Sequence, residues 1–298
     1  MRVLISGGSG LLGRKVTEKL QASGHEIAWL GRRKPADLPA GVLFFLWNPV
    51  SEAMDPEAVG WAEGLINLAG ASIGETRWDK AGRELILESR LSSVRTLIRH
   101  FSGREPLQTF CGISGAGYYG PGTQKFLESD PAGRDFPAQV AAKWEGSYEA
   151  FRLKCRPVHF SIVRMAVVLA RQGGALPKII QPFKMGIGAV LGNGKQPFNW
   201  IHLEDAAGVF GFLLLRDGIF NASAPAADTN ATMTNVLAGV LKKPLLLPAV
   251  PAFVLQLALG DRSSLVLKGN FSDVSALQQA GFRYQFPELQ EALEDLAG

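Results

Sequence analysis

The first thirteen residues, Met1 to Gly13 (MRVLISGGSGLLG), constrain the fold of this chain more than any other stretch. An apolar run, Val3-Leu4-Ile5, ends in a glycine turn that opens a helix-forming run from Leu11 to Leu20. The glycines fit two registers, Gly7-x-x-Gly10-x-x-Gly13 and Gly8-x-Gly10-x-x-Gly13. A strand, a glycine turn and a helix start in that order form a phosphate cradle. One glycine permits the turn, one lets a pyrophosphate touch the backbone, and one lets helix and strand lie close. The phosphates rest on N–H groups without helical partners, where the helix dipole favours negative charge. The contacts expected with a dinucleotide are Gly7, Ser9, Gly10, Leu11, Leu12 and Gly13.

Beyond this turn the pattern alternates. Strands are expected at 2–6, 26–30, 42–46, 64–68, 108–113 and 158–164, and helices at 11–22, 79–101 and 137–153. Continuous apolar strands between amphipathic helices imply a parallel sheet covered on both faces. After Arg164 the region is rich in glycine and proline and reads as loops. A helix follows His202-Leu203-Glu204-Asp205, and short helices are expected at 232–242, 251–259, 273–280 and 287–297. The expected fold class is α/β, a Rossmann-type doubly wound parallel sheet with a smaller C-terminal α/β domain on the substrate side. Residues 1–170, with 200–222 returning, are assigned to the dinucleotide-binding domain, and 171–199 and 223–298 to the smaller one.

The strand before the phosphate turn is followed by a second, Ile27 to Leu30, which ends in Gly31-Arg32-Arg33. A carboxylate at that place would bind the ribose hydroxyls of NAD; two arginines suit a 2′-phosphate, and an arginine can stack on adenine. The nearest acid, Asp37, lies beyond Pro35. The expected cofactor is therefore NADP(H), with Arg32 and Arg33 as its selectors.

Composition excludes several classes. The net charge of +4 is spread along the chain, which argues against a nucleic-acid partner. The longest apolar stretch, Leu245 to Leu259, is interrupted by Pro248 and Pro251 and is too short to span a bilayer. Cys111 and Cys155 stand in apolar settings as reduced thiols, and the first strand begins at residue 2, so a cytoplasmic protein is expected. With four scattered histidines and two distant cysteines, no metal-ligand spacing appears. The partner expected besides the cofactor is a small molecule; monomer and dimer both stay open.

Several further segments follow in a telling order: Ile66-Asn67-Leu68-Ala69-Gly70, Ile113-Ser114-Gly115-Ala116-Gly117-Tyr118-Tyr119-Gly120 and Trp200-Ile201-His202-Leu203-Glu204-Asp205. They resemble the Asn-x-Ala-Gly, Ser-Ser-x-x-x-Tyr-Gly and Val-His-Val-x-Asp segments of extended short-chain dehydrogenases/reductases such as sugar-nucleotide epimerases. Ser89-Arg90-Leu91, Lys143-Trp144-Glu145, Arg164-Met165-Ala166, Pro182-Phe183-Lys184 and Gly281-Phe282-Arg283-Tyr284 narrow the resemblance. They are similar to an "epimerase family" subgroup with a DUF1731-type C-terminal segment. The resemblance covers the whole chain. It implies an NADP-dependent oxidoreductase or epimerase acting by hydride transfer on a small polar, sugar-like substrate, with Leu68, Ala69, Gly70, Lys143 and Arg164 beside the cofactor.

The chain departs from this pattern where the chemistry should be. The superfamily's general acid/base is a tyrosine four residues before a lysine, on one helix face. Lys143 is present, but Gln139 stands where the tyrosine belongs, and Ser114 is one residue early relative to Tyr119-Gly120. The candidate catalytic set is therefore Tyr118, Tyr119, Lys143 and Ser114, with Lys143 read as a ribose contact or a solvated helix lysine. A non-catalytic NADP(H)-binding or redox-sensing protein is the alternative. The candidate substrate cleft holds Arg90, Trp200 and His202, although His202 and Asp205 are also placed to organise a helix start. Arg90 sits among Leu87, Leu91 and Val94, where a charge needs Glu88 or a substrate carboxylate or phosphate as partner. Gly188 to Gln196 reads as a substrate flap.

Overall fold

The computed structural model describes residues 1–298. The chain begins β1 (Arg2–Ser6), α1 (Leu11–Ala22), β2 (Glu26–Gly31), β3 (Val42–Asn48), β4 (Ala53–Met54), α2 (Pro56–Trp61) and β5 (Gly64–Asn67). It continues with α3 (Lys80–Phe101), β6 (Thr109–Gly115), a 3-10 turn (Ala116–Tyr119), β7 (Lys125–Phe126), α4 (Phe136–Cys155) and β8 (His159–Met165). Next come β9 (Val167–Leu169), α5 (Leu176–Lys184), β10 (Trp200–His202), α6 (Leu203–Leu213) and β11 (Gly218–Ala222). The last elements are α7 (Asn230–Val240), α8 (Ala252–Leu259), α9 (Ser264–Leu267), β12 (Phe271–Ser272), α10 (Ser275–Gln279) and α11 (Leu289–Ala297). None of the helices is long and apolar enough to cross a membrane.

Two compact units divide the chain. The first comprises Met1–Ser114, Gln139–Val163 and Ala207–Phe220; the second comprises Gly115–Ala138, Arg164–Ala206 and Asn221–Gly298. Segment 115–138 thus belongs with the C-terminal residues, unlike the division at 170 read from the sequence. Side-chain hydrogen bonds explain the difference. The Asn270 amide donates to the carbonyls of Ala116 and Gly120, and the Tyr119 hydroxyl donates to Asn221.

The first unit is built on a sheet of eight strands in the order β11-β8-β6-β5-β1-β2-β3-β4. β1 pairs in parallel with β2 and β5, β2 with β3 and β5 with β6, while the short β4 runs antiparallel to β3. This is the mostly parallel, doubly wound, Rossmann-type arrangement expected. Val3, Leu4, Ile5, Leu65 and Ile66 have no exposed surface, as strands covered on both faces require. The chain winds from β1 out to β3 and then returns to β5. The carboxyl ends of β1 and β5 therefore mark the point where the strand order reverses, which is where ligands bind in such sheets.

At that point the core is polar and fully satisfied. Ser6 at the end of β1 donates to Asn67 Oδ1 at 2.5 Å. The Asn67 amide donates to the Tyr148 hydroxyl at 3.2 Å and to Ser93 at 3.4 Å, and Tyr148 donates on to the Ile113 carbonyl at 2.9 Å. One asparagine thus ties the ends of three strands to α3 and α4. Gly112 makes room for this: a Cβ there would stand 2.7 Å from the Tyr148 ring.

The second unit has its own core of Leu169, Leu176, Ile180, Phe183, Trp200, Met233, Leu237, Leu289, Leu293 and Leu296. Within it, α5 forms where the sequence reads as loop because of Pro177 and Pro182. Pro177 falls in the first turn, where its missing N–H costs nothing, and Leu176, Ile180 and Phe183 recur at helical spacing to bury one face. Packing of that stripe outweighs the proline inside the helix.

Asn67→Ala should lower the unfolding free energy by about 1–3 kcal/mol, because it strands buried hydroxyls of Ser6 and Tyr148. Urea denaturation measures this, and an unchanged midpoint would contradict the role given to Asn67.

Candidate functional site

The four glycines of the turn differ in how tightly the fold encloses them. Gly7 has φ +74°, and a Cβ there would press on Leu68 at 2.9 Å. A Cβ at Gly8 would strike the Trp29 ring at 2.3 Å, and one at Gly13 would meet the Gly7 carbonyl at 2.3 Å. At Gly10 the tightest contact would be 3.3 Å, with φ at an ordinary −74°. Packing therefore excludes a side chain at Gly7, Gly8 and Gly13, whereas at Gly10 a Cβ would meet only the Gly7 carbonyl, by a smaller overlap. Gly10 is the N-cap of α1 and caps nothing with a side chain, so the first-turn N–H groups of Leu11, Leu12 and Gly13 stand ready for an anion. Ser9 and Gly10 are exposed.

Beside this turn is a cavity of about 440 Å³ lined by Ser9, Trp29, Leu30, Gly31, Arg32, Arg33, Pro35 and Phe44. No acid lines it. Asp37 is held by Arg14 at 2.9 Å on the surface. Trp29 is fixed as a wall by donating Nε1–H to Thr17 at 2.8 Å. Arg32 and Arg33 are exposed at its mouth. The loop after β5 completes this edge: Leu68 donates its N–H to the Ser6 carbonyl at 3.0 Å, Leu68 and Ala69 are partly exposed, and Gly70 is exposed.

α4 corrects the reading of its own chemistry. Its buried residues are Ala138, Val140, Ala141, Trp144, Glu145, Tyr148, Phe151 and Cys155, whereas Gln139 and Lys143 are exposed. The Ser114 hydroxyl donates to Glu145 Oε1 at 2.7 Å. The pair at tyrosine–lysine spacing that shares Ser114's face of the helix is thus Ala141 and Glu145. Residues 143 and 145 are about 200° apart around a helix, so Lys143 points away from Ser114. Glu145 was missed, although the apolar spacing of residues 138, 141, 144, 148 and 151 places it on the buried side.

The tyrosine pair also divides. Tyr119 is buried; its hydroxyl donates to Asn221 Oδ1 at 2.6 Å and accepts from Arg164 Nη1 at 2.9 Å. Burial raises its pKa, against the lowering effect of Arg164. Its proton is committed, which removes Tyr119 from the catalytic set. Arg164, 2% exposed, also donates to the Glu128 carbonyl and stacks its guanidinium 3.5 Å from the centre of the Tyr118 ring. It fixes the tyrosine turn within the second unit and is too enclosed for a cofactor contact, a second correction. Tyr118 is half-buried, and its hydroxyl has no hydrogen bond within the protein.

Trp200 is structural rather than a cleft wall, and His202 takes the helix-organising role also read for it from the sequence. Trp200 lies in the second core, 1% exposed, with Nε1–H donated to Asp228 at 2.8 Å. His202 is buried against Phe286, accepts the Glu204 N–H at Nδ1 and meets Asp295 through Nε2 at 3.2 Å. It organises the start of α6, while Asp205 turns instead to accept the N–H groups of Gln285 and Phe286. The supposed flap is tied down as well: Val250 donates to the Val190 carbonyl, and Ala231 to that of Gly194. Arg90, by contrast, is buried, with 9% of its surface exposed.

Burial lowers the His202 pKa from 6.5, against the opposing pull of Asp295. The unfolded chain then binds this proton before the fold does, so the stability at stake is complete above pH 6.5 and declines as pH falls below it. Thermal unfolding should show this slope between about pH 7 and 5, and His202→Gln should flatten it. A slope identical in the variant contradicts the assignment.

Comparison with known proteins agrees with this geometry. Residues 3–222 match the model of the NAD dependent epimerase/dehydratase family, and residues 250–296 match a domain of unknown function, DUF1731. The mouse epimerase family protein SDR39U1 is 34% identical over 305 residues, covering 99% of each chain. Bacillus subtilis epimerase family protein YfhF is 32% identical, covering 99% of this chain and 98% of its own. The crystal structure of human epimerase family protein SDR39U1 (isoform 2) with NADPH superposes with a TM-score of 0.86 at 30% identity, covering 100% of this chain and 99% of that one. The chain belongs to the NAD dependent epimerase/dehydratase family.

Proposed function

We propose that the protein binds NADP(H) in preference to NAD(H) and uses it for hydride transfer on a small polar, sugar-like substrate. The observation that carries this reading is the acid-free cavity edged by Arg32 and Arg33, next to the uncapped N-terminus of α1. Leu11, Leu12 and Gly13 would hold the pyrophosphate, Arg32 and Arg33 the 2′-phosphate, and Leu68, Ala69 and Gly70 the rim of the coenzyme site. When bound, the cofactor supplies a hydride donor or acceptor. The human relative's complex with NADPH supports the choice. The first unit is then the cofactor-binding part and the second the substrate-side part, in a cytoplasmic protein whose two cysteines are free and buried.

Tyr118, whose ring is stacked on Arg164 but whose hydroxyl makes no hydrogen bond within the protein, is assigned the proton on the substrate oxygen. Ser114 and Glu145 form a buried polar pair in the first unit that holds the end of β6 to α4. A second reading, binding without turnover, rests on a separate observation: the buried face of α4 presents Ala141 and Glu145 in place of a phenol and an ammonium.

Calorimetry should find NADPH bound more tightly than NADH, and Arg32→Ala should erase about ten- to hundredfold of that difference, as loss of a charged hydrogen bond does. Equal affinity of the wild type for the two cofactors overturns the preference. Gly10→Val should stay folded and lose dinucleotide binding, since its side chain fills the pyrophosphate's approach. Retained affinity places the phosphates elsewhere. NADPH oxidation against a set of carbonyl compounds decides between the readings. Turnover that falls about tenfold or more in Tyr118→Phe supports hydride chemistry, and no turnover with any compound supports binding alone.

A further inference from the structure

Arg90 sits in α3 with its charge unanswered. Nη1 donates to the carbonyls of Ala71 at 2.9 Å and Ile86 at 2.7 Å, while Nε and Nη2 have no acceptor in the protein. No carboxylate stands within ion-pair reach, because Glu88, the acid nearest in sequence, pairs with Arg95 at 2.9 Å. The guanidinium lies 4.7 Å from the centre of the Trp144 ring, which fixes its plane. Trp144 brings a second donor that lacks an acceptor: its indole Nε1 is buried and unbonded. Burial pulls the Arg90 pKa down to about 10. A buried cation without a counter-charge is a destabilising feature unless a ligand completes it.

The location indicates what completes it. A Cβ on Gly70 would lie 3.2 Å from Arg90, and the same loop, at Leu68 and Ala69, packs against Gly7 of the phosphate turn. Arg90 therefore stands at the carboxyl edge of β5, one loop away from the cradle for phosphate. A planar guanidinium held on an indole face, with free N–H groups on its remaining edge, matches the two oxygens of a phosphate or carboxylate.

We propose that Arg90 is the receptor for an oxyanion, a phosphate or carboxylate group, at this edge. This rests on the reading of the first unit as an NADP(H) site. The oxyanion has two sources, the cofactor's pyrophosphate or an acidic group on the substrate, and the experiment separates them. In protein carrying ¹⁵N-arginine, the Nε–Hε resonance of Arg90 is followed during titration with NADPH. The NADPH-loaded protein is then titrated with inorganic phosphate and with malonate. A shift on NADPH addition, with about tenfold weaker NADPH binding in Arg90→Gln, assigns the cofactor's pyrophosphate. A shift only on phosphate or malonate, with NADPH affinity kept and the anion's affinity lowered about tenfold, assigns an acidic substrate. Arg90→Lys, which keeps the charge but not the fork, should recover only part of either affinity and guards against a misfolded glutamine variant. A wild-type resonance that none of the three ligands moves overturns the proposal. Failure of the cofactor reading is a different result, the absence of any NADPH binding, and phosphate and malonate then test Arg90 in the unloaded protein.

Discussion

The Asn67 side chain is the interaction on which the first unit depends. It lies where the strand order reverses, and it accepts from Ser6 while donating to Tyr148 and Ser93. Through it the ends of β1, β5 and β6 keep a fixed distance from α3 and α4. Two of those ends launch the loops of the candidate site in the first unit: the glycine turn after β1 and Leu68 to Gly70 after β5. Buried polar networks of this kind specify geometry when every member is satisfied. Here the requirement reaches the glycines, since Gly112 yields to the Tyr148 ring and Gly7 to Leu68.

The same logic explains how much of this architecture was legible in the sequence. Strands buried on both faces appear as unbroken apolar runs, and β1, β2, β5 and β6 were readable for that reason. The glycine turn was readable because backbone geometry restricts the residue type. What escaped detection depends on direction around a helix or on long-range partners. Lys143 was assigned to the coenzyme by its motif, yet the buried face of α4 passes through Glu145. Arg164 and Tyr119 match family segments, but they meet each other and Asn221, which lies 102 residues from Tyr119. Trp200 reads as an aromatic wall of a cleft, but in this chain it is enclosed with Asp228 as partner, while His202, also readable as the organiser of a helix start, is enclosed with Asp295 as partner.

Two kinds of arginine emerge. Arg164 is buried and fully used inside the protein, bonded to Tyr119 and Glu128 and stacked on Tyr118. Arg32, Arg33 and Arg90 instead present N–H groups that no carboxylate answers at the carboxyl edge of the first sheet. Such an excess of donors over acceptors in one region is the electrostatic signature of a site for a polyanion, and it agrees with the uncapped start of α1. The acid/base apparatus is less complete than the anion-binding apparatus.

Phosphorus NMR of the NADPH complex tests the cofactor reading most directly. The dianion of a free 2′-phosphate takes up a proton at about pH 6. Held by Arg32 and Arg33, its resonance should remain that of the dianion down to about pH 5, because adjacent guanidinium groups favour the charged form. In a variant with both arginines replaced by alanine it should titrate like the free cofactor. A 2′-phosphate that titrates as in free NADPH while bound to the wild type would contradict the account.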